Sequence, residues 1–222
     1  MREKVGLVTI GQSPRNDVVG EIADILGIGI EIMQKGALDG LTRNEIEGLR
    51  PEKKDFPLIT RLRNGTSAIV GKEKIIFLLQ KRIVELEESG LSIIGLLCTD
   101  EFPELESRGL LLMPSKILFH AAASVLKKGK IGVFCPLPEQ KKEVREKWGK
   151  TGLRVVVEAL NPYQETSKAD KAIERMKCEN VDLIVLDCIG YSFSIKEKIA
   201  EATGKPVLLP RTVLARFIKD LM

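Results

Sequence analysis

The feature that most constrains this chain is an alternation, sustained over 222 residues, of short apolar runs with longer amphipathic stretches. Apolar runs of four to eight residues suit strands buried on both faces, and the stretches between them carry helical periodicity. Parallel strands need crossover connections, and helices are the usual ones, so the pattern specifies an α/β fold with parallel sheets. Strands are expected at Lys4–Gly11, Gly29–Gln34, Ser92–Leu97, Leu110–Met113, Lys130–Cys135, Arg154–Glu158, Asp182–Asp187 and Pro206–Leu209. Helices are expected over 14–26, 72–89, 115–127, 138–149, 166–178, 193–203 and 211–221. Ser13-Pro14 reads as a helix start, with Ser at the N-cap and Pro at the first helical position. One segment breaks the alternation. Residues 57–70 read as a β-hairpin turning at Asn64-Gly65, the pair expected of a two-residue type I′ turn. Strand alternation then sets Arg61 and Arg63 on one face.

The chain also resembles itself. Leu112-Met113-Pro114-Ser115-Lys116-Ile117-Leu118 matches Leu208-Leu209-Pro210-Arg211-Thr212-Val213-Leu214. Before each lies an apolar run ending in cysteine, Ile93–Cys98 and Leu183–Cys188. The openers Val5–Val8 and Ile131–Phe134, each followed by a proline, match more weakly. These repeats imply two pseudo-symmetric, doubly wound parallel-sheet halves. The first comprises 1–113 plus 211–222, with the hairpin 57–70 inserted, and the second comprises 114–210.

Composition narrows the function classes. Net charge is only +4, and 35 basic residues are interleaved with 31 acidic ones, which reads as a solvated surface. With aromatics at 5%, no stacking platform for nucleic acid is evident. No apolar run is long enough to span a bilayer. The N-terminus shows no signal peptide, and Cys98, Cys135, Cys178 and Cys188 form no CxxC pair. A cytoplasmic, reduced protein is expected. A single histidine, His120, argues against a metal site. GxGxxG after the first strand, a P-loop and GxSxG are all missing.

Ligands of open parallel sheets collect at the carboxyl ends of the strands, where Cys98 and Cys188 both fall. A pair of thiols suits one task. One thiolate takes a proton from a carbon next to a carboxylate, and the other thiol returns a proton to the opposite face. Cys135 also ends a strand, as a lining residue, while Cys178 and His120 read as packing or surface positions.

Val5–Asn16 (VGLVTIGQSPRN), Gly36–Thr42 (GALDGLT), 55–74, Leu97–Phe102 (LCTDEF), Met113–Leu118 (MPSKIL) and Leu186–Tyr191 (LDCIGY) together resemble the AroM family. That family is similar to the Asp/Glu/hydantoin racemase superfamily, which includes arylmalonate decarboxylases. The resemblance implies the two-half fold, no cofactor, and a crevice flanked by catalytic Cys98 and Cys188. It also implies that Gly11, Gln12, Ser13 and Arg15 form a loop approaching the substrate. Ser13 and the backbone N–H groups there, with Arg15, are expected to hold its carboxylate. Thr99, Ser115 and the hairpin's Arg61 and Arg63 are further candidate donors, and Asp100, Asp187 and Gly190 border the thiols. The chain departs from the racemases at both cysteines. Cys98-Thr99-Asp100 stands where they carry Cys-Asn-Thr, and Asp187-Cys188-Ile189-Gly190 where they carry Gly-Cys-Thr-Glu.

The expected activity is a cofactor-independent racemase or isomerase acting on a small carboxylate-bearing molecule. The alternatives are a single-thiol decarboxylase and a non-catalytic metabolite-binding or regulatory protein. A homodimer is the expected assembly, with no nucleic-acid or membrane partner.

Overall fold

The computed structural model describes residues 3–164 and 167–222, and all their side chains except those of Ser167 and Lys168. The chain divides into two compact units, Met1–Pro114 with Leu214–Met222, and Ser115–Val213. The first holds β1 (Glu3–Thr9), α1 (Asn16–Leu26), β2 (Ile30–Gly36), α2 (Arg43–Gly48), a hairpin of β3 (Pro57–Arg61) and β4 (Ser67–Gly71), α3 (Lys72–Glu88), β5 (Ile93–Leu97) and β6 (Leu110–Leu112). Next come α4 (Pro114–Val125), β7 (Lys130–Cys135), a 3-10 turn at Pro138–Gln140, α5 (Lys141–Gly149) and β8 (Arg154–Ala159). The chain continues with α6 (Ser167–Cys178), β9 (Leu183–Leu186), α7 (Phe193–Thr203), β10 (Val207–Leu208) and α8 (Pro210–Leu221). The expected start of the helix over 166–178, at 166, lies outside the described residues.

Each unit carries a four-stranded, all-parallel sheet, ordered β2-β1-β5-β6 in the first and β8-β7-β9-β10 in the second. Numbered within its own sheet, each runs second, first, third, fourth. The internal similarity of the sequence is thus a repeated topology. Helices cover both faces, so the inner strands are apolar throughout: all four residues of β9 are buried. Alternation then sorts the side chains. Ile184, Leu186 and Cys188 join one core with Phe134 and Tyr191. Leu183 and Val185 join the opposite core with Val133, Cys135 and Trp148. In the first unit, Ile94, Leu96 and Cys98 share a core with Val8, Ile10 and the buried face of α3.

The closing helices do not stay with the sheets they follow. Leu118 and Ala122 of α4 pack in the second unit's core. Leu214–Met222 of α8 belongs to the first unit, where Leu214 and Ile218 lie against Gly95 and Lys219 donates to the Ile25 carbonyl at 2.8 Å.

Local expectations are corrected at three places. Pro14 does not open a helix. The Ser13-Pro14 peptide is cis and α1 starts at Asn16. The hairpin forms its own two-stranded sheet, but its turn is not type I′. Gly65 N–H donates to Leu62 O and Leu62 N–H to Thr66 O. Gly65 alone takes the left-handed conformation, at φ 84°. The loop is therefore the three residues Arg63-Asn64-Gly65, a type I turn closed by a glycine bulge. Arg63 thus lies beyond the end of β3, not in alternation with Arg61. Finally, α2 interrupts what read as a plain connection. Thr42 and Glu45 cap it reciprocally, and Ile46 is its buried residue.

Candidate functional site

In the first unit the loop after β1 is a hub tied on every side. Gly11 N–H donates to Thr9 Oγ1 at 3.3 Å and Gln12 N–H to Arg61 O at 3.3 Å. Ser13 N–H donates to Asp39 Oδ1 at 2.8 Å, and Arg15 N–H to Gln34 Oε1 at 2.8 Å. Proline supplies none at 14, so every backbone N–H from Gly11 to Arg15 is spent inside the protein. The Ser13 hydroxyl also donates to Asp39, at 2.6 Å, and Gly36 N–H reaches the same carboxylate at 2.7 Å. The Ser13 donors expected to hold a substrate carboxylate are taken by the protein's own Asp39.

The arginines are engaged too. Arg15, 2% exposed, grips Asp17 with Nε and Nη2, both at 2.9 Å, and reaches Thr9 Oγ1 at 3.4 Å. Arg61 Nε donates to Gly65 O at 3.0 Å. Arg63 Nε donates to Ser13 O at 2.8 Å, and its backbone N–H donates to Gln12 Oε1 at 3.0 Å. Arg61 and Arg63 therefore staple the hairpin to the β1 loop. Two glycines permit this close approach. A Cβ on Gly11 would sit 2.3 Å from Thr60 Oγ1 and 2.5 Å from Arg61 O. One on Gly36 would sit 2.5 Å from Gly11 O.

Cys98 lies directly beyond β5, buried with Thr99. Asp100, two residues on, takes an ion pair from Lys72 at 2.9 Å. Lys72 opens α3 and lies 5.2 Å from the centre of the Phe102 ring.

The second unit repeats the cysteine and anchors it differently. Beyond β9, Cys188 N–H donates to Leu186 O at 2.9 Å. This tight three-residue turn has Asp187 at its apex. Strand alternation sends the Asp187 side chain to the α5 face. Lys147 Nζ reaches its two oxygens at 3.0 and 2.9 Å, and Trp148 Nε1 donates at 2.7 Å. The Asp187 and Lys147 side chains are 2% and 11% exposed. On the other side Arg211, buried, donates from Nε and Nη2 to Ile189 O at 3.3 and 3.0 Å. The Tyr191 hydroxyl donates to Leu160 O, and Gly190 gives room to the Tyr163 hydroxyl, which a Cβ there would meet at 2.6 Å.

Cys135, beside Asp187 at the end of β7, donates to Leu137 O at 3.4 Å. Burial, and after it the Asp187 charge, push its thiol up to about 12. Burial likewise holds the Tyr191 phenol well above its ordinary range, with the neighbouring thiols and Asp187 adding to the effect. Both stay neutral at physiological pH. Cys178, expected to pack, is exposed, and His120 is exposed against Phe119. Ser115, at the start of α4, is 2% exposed, and its hydroxyl has no hydrogen-bond partner among the described residues. A cavity of about 240 Å³ lies in the second unit between Leu160, Pro162, Tyr191, Ile195 and Lys198. Among the described residues no three His, Cys, Asp or Glu side chains gather to hold a metal ion, and no helix is long and apolar enough to cross a membrane.

A family model described as AroM protein matches residues 5–222. The chain belongs to the AroM family. Solved structures with the same fold come from several activities. Allantoin racemase from Klebsiella pneumoniae superposes with a TM-score of 0.67 at 14% identity, covering 99% of this AroM chain and 87% of that one. Maleate isomerase from Pseudomonas putida S16 gives 0.65 at 14%, covering 99% and 92%. Glutamate racemase from Aquifex pyrophilus gives 0.62 at 18%, covering 99% and 84%. At such identities the likeness is one of fold. No curated protein matches the sequence.

Sequence reasoning missed five residues that anchor the strand-end loops of the two AroM units: Asp39 and Lys72 in the first, Lys147, Trp148 and Arg211 in the second. Two had a signal. Asp39 stands inside the block Gly36–Thr42 that marks the family, and Arg211 follows proline where the repeat places Ser115. Lys147, Trp148 and Lys72 sit in helices whose polar positions read as solvated surface.

Proposed function

We propose that this AroM protein is a cofactor-independent racemase or isomerase acting at a carbon next to a carboxylate, with Cys98 and Cys188 as its working thiols. One observation carries the reading. The third strand of each unit's sheet ends in a buried cysteine on the face that packs against its preceding crossover helix. The fold is one shared by racemases, an isomerase and decarboxylases.

The step balances within the two thiols. The carbon–hydrogen bond breaks and its proton passes to one thiolate. The electron pair stays on carbon, delocalised into the carboxylate, and takes a proton from the other thiol. The thiols exchange roles at each turnover, with no redox change. Thr99 and Gly190 adjoin the thiol turns in sequence, and the buried Ser115 hydroxyl, which has no hydrogen-bond partner among the described residues, is the proposed donor to a substrate. Gly11 to Arg15, Arg61, Arg63, Asp100 and Asp187 have internal partners and are read as supporting the loops, not as holding substrate.

The test is deuterium incorporation from D₂O, followed by NMR, over amino acids, hydantoins, arylmalonates and shikimate-related acids. The native protein runs beside Cys98→Ser and Cys188→Ser. Exchange next to a carboxylate, reduced by about 10²- to 10⁴-fold by either substitution, is expected. Survival of turnover in one of the two variants makes it a single-thiol decarboxylase or isomerase. A second reading draws on the departures around both cysteines, Cys98-Thr99-Asp100 and Asp187-Cys188-Ile189-Gly190: a carboxylate-binding protein without turnover. Compounds that bind without exchange establish that reading in place of the first.

A further inference from the structure

We infer that Lys147 and Trp148 of α5, acting through Asp187, form a clamp that positions the Cys188 thiol, so that Asp187 is a positioning residue and not a ligand for substrate. The inference rests on Cys188 being a working thiol, as proposed above.

Three observations carry it. First, Asp187 is the apex of the turn that closes from Cys188 N–H to Leu186 O. Moving its carboxylate moves the backbone that carries Cys188. Second, both oxygens of that carboxylate are held from one helix, by Lys147 and by the Trp148 indole. With a side chain 2% exposed, it has no open side for a ligand. Third, the Asp187 carboxylate meets Trp148, a residue of one core of the unit, while Cys188 packs in the other. The carboxylate acts on Cys188 through the turn and through its charge, from behind. Arg211 holds the next peptide at Ile189 O, so the cysteine stands between two fixed neighbours.

The charged and titratable groups around the turn are few. Lys147 and Lys141 lie on α5, Glu158 on β8 paired to Lys141 at 3.5 Å, Cys135 on β7, Arg211 on α8, and Tyr163 and Tyr191 on the loops. A carboxylate near a thiol disfavours the thiolate, and an ammonium favours it. Removing the two halves of the clamp therefore has opposite effects on charge. A merely structural contact, once broken, loosens the turn in the same direction whichever half is removed.

The experiment uses the whole protein. Alkylation of Cys188 by iodoacetamide is followed by mass spectrometry of its peptide from pH 6 to 10. It needs no substrate, so it stands or falls apart from the proposed activity. Asp187→Asn leaves Lys147 without its anion. It is expected to lower the pH midpoint and speed alkylation at pH 7 by about threefold to tenfold, a shift of up to one unit. Lys147→Met is expected to raise the midpoint and slow alkylation by a similar factor, and Lys147→Arg to restore the native profile. Emission from Trp148, the single tryptophan, reports whether α5 remains docked. If Asp187→Asn does not fold, Lys147→Met against Lys147→Arg decides alone. Midpoints that move in the same direction in the two charge variants, or do not move, overturn the inference.

Discussion

The two units share a strand order and a buried cysteine at one strand end, yet they hold that cysteine by unrelated means. In the second unit the carboxylate precedes the cysteine and is gripped from the helix that follows the first strand, by Lys147 and Trp148 of α5. In the first it comes two residues later, at Asp100, and its partner Lys72 opens the helix that follows the hairpin. The first unit has a loop tied to Asp39 and the hairpin, and among its described residues the second has no counterpart to that insertion. What is repeated is the backbone frame. The anchors are particular to each half and arise where the halves differ in length.

The largest effect that would sharpen this contrast is in stability. Asp187→Ala strands a mostly buried ammonium and an indole N–H and is expected to cost about 3–5 kcal/mol. Asp100→Ala, whose ion pair is 19% exposed on both sides, is expected to cost about 1 kcal/mol. Equilibrium urea denaturation reads both, and equal costs would erase the distinction between the anchors. Next, Gly11→Ala forces a methyl onto Thr60 and the Arg61 carbonyl and is expected to cost about 1–3 kcal/mol. Limited trypsinolysis should then cut at Arg61 or Arg63 while sites in the second unit keep their native rates. Accelerated cutting in both units would mean the hairpin supports the whole chain.

Alkaline pH tests the second unit alone. The Cys135 thiol is raised to about 12 in the folded protein. Its contribution is fully present below the unfolded thiol's value near 8.5 and is lost as pH rises towards the folded one. Stability should fall by about 1 kcal/mol per pH unit above roughly pH 9, and Cys135→Ala should flatten that slope in pH-dependent melts. An unchanged slope would assign the loss to Tyr191 instead. The smallest effect belongs to the first unit. Arg82 holds the Glu85 carboxylate below its ordinary range, so its contribution is present above about pH 4.3 and lost as pH falls. Glu85→Gln should cost about 0.5 kcal/mol at pH 7, and the difference from the native protein should vanish near pH 3.

The fold was legible in the sequence because burial on both faces of a parallel sheet leaves unbroken apolar runs, and because those runs recur in the same order. The hairpin was legible from Asn64-Gly65, but not its turn type. That depended on whether Asn64 or only Gly65 took a positive φ. The α2 helix was hidden by its length of six residues, although the Thr42–Glu45 capping box was there to be read. In the site, the cysteines were legible as strand ends. Their anchors were not, because each joins residues far apart in the chain. Lys72 pairs with Asp100 from the far side of α3 and β5 in the chain, and Lys147 and Asp187 stand 40 positions apart. Ser13, Arg15, Arg61 and Arg63 had the chemistry of a carboxylate site, and internal carboxylates and carbonyls claimed it.

The closing helix of the first sheet is encoded after the whole of the second unit. Residues 214–222 leave the ribosome after all of the second unit has emerged, yet Leu214 and Ile218 cover the strand that carries Gly95. During synthesis the unit translated first is therefore the one completed last, and its sheet must wait, half-roofed, while the rest of the protein is made.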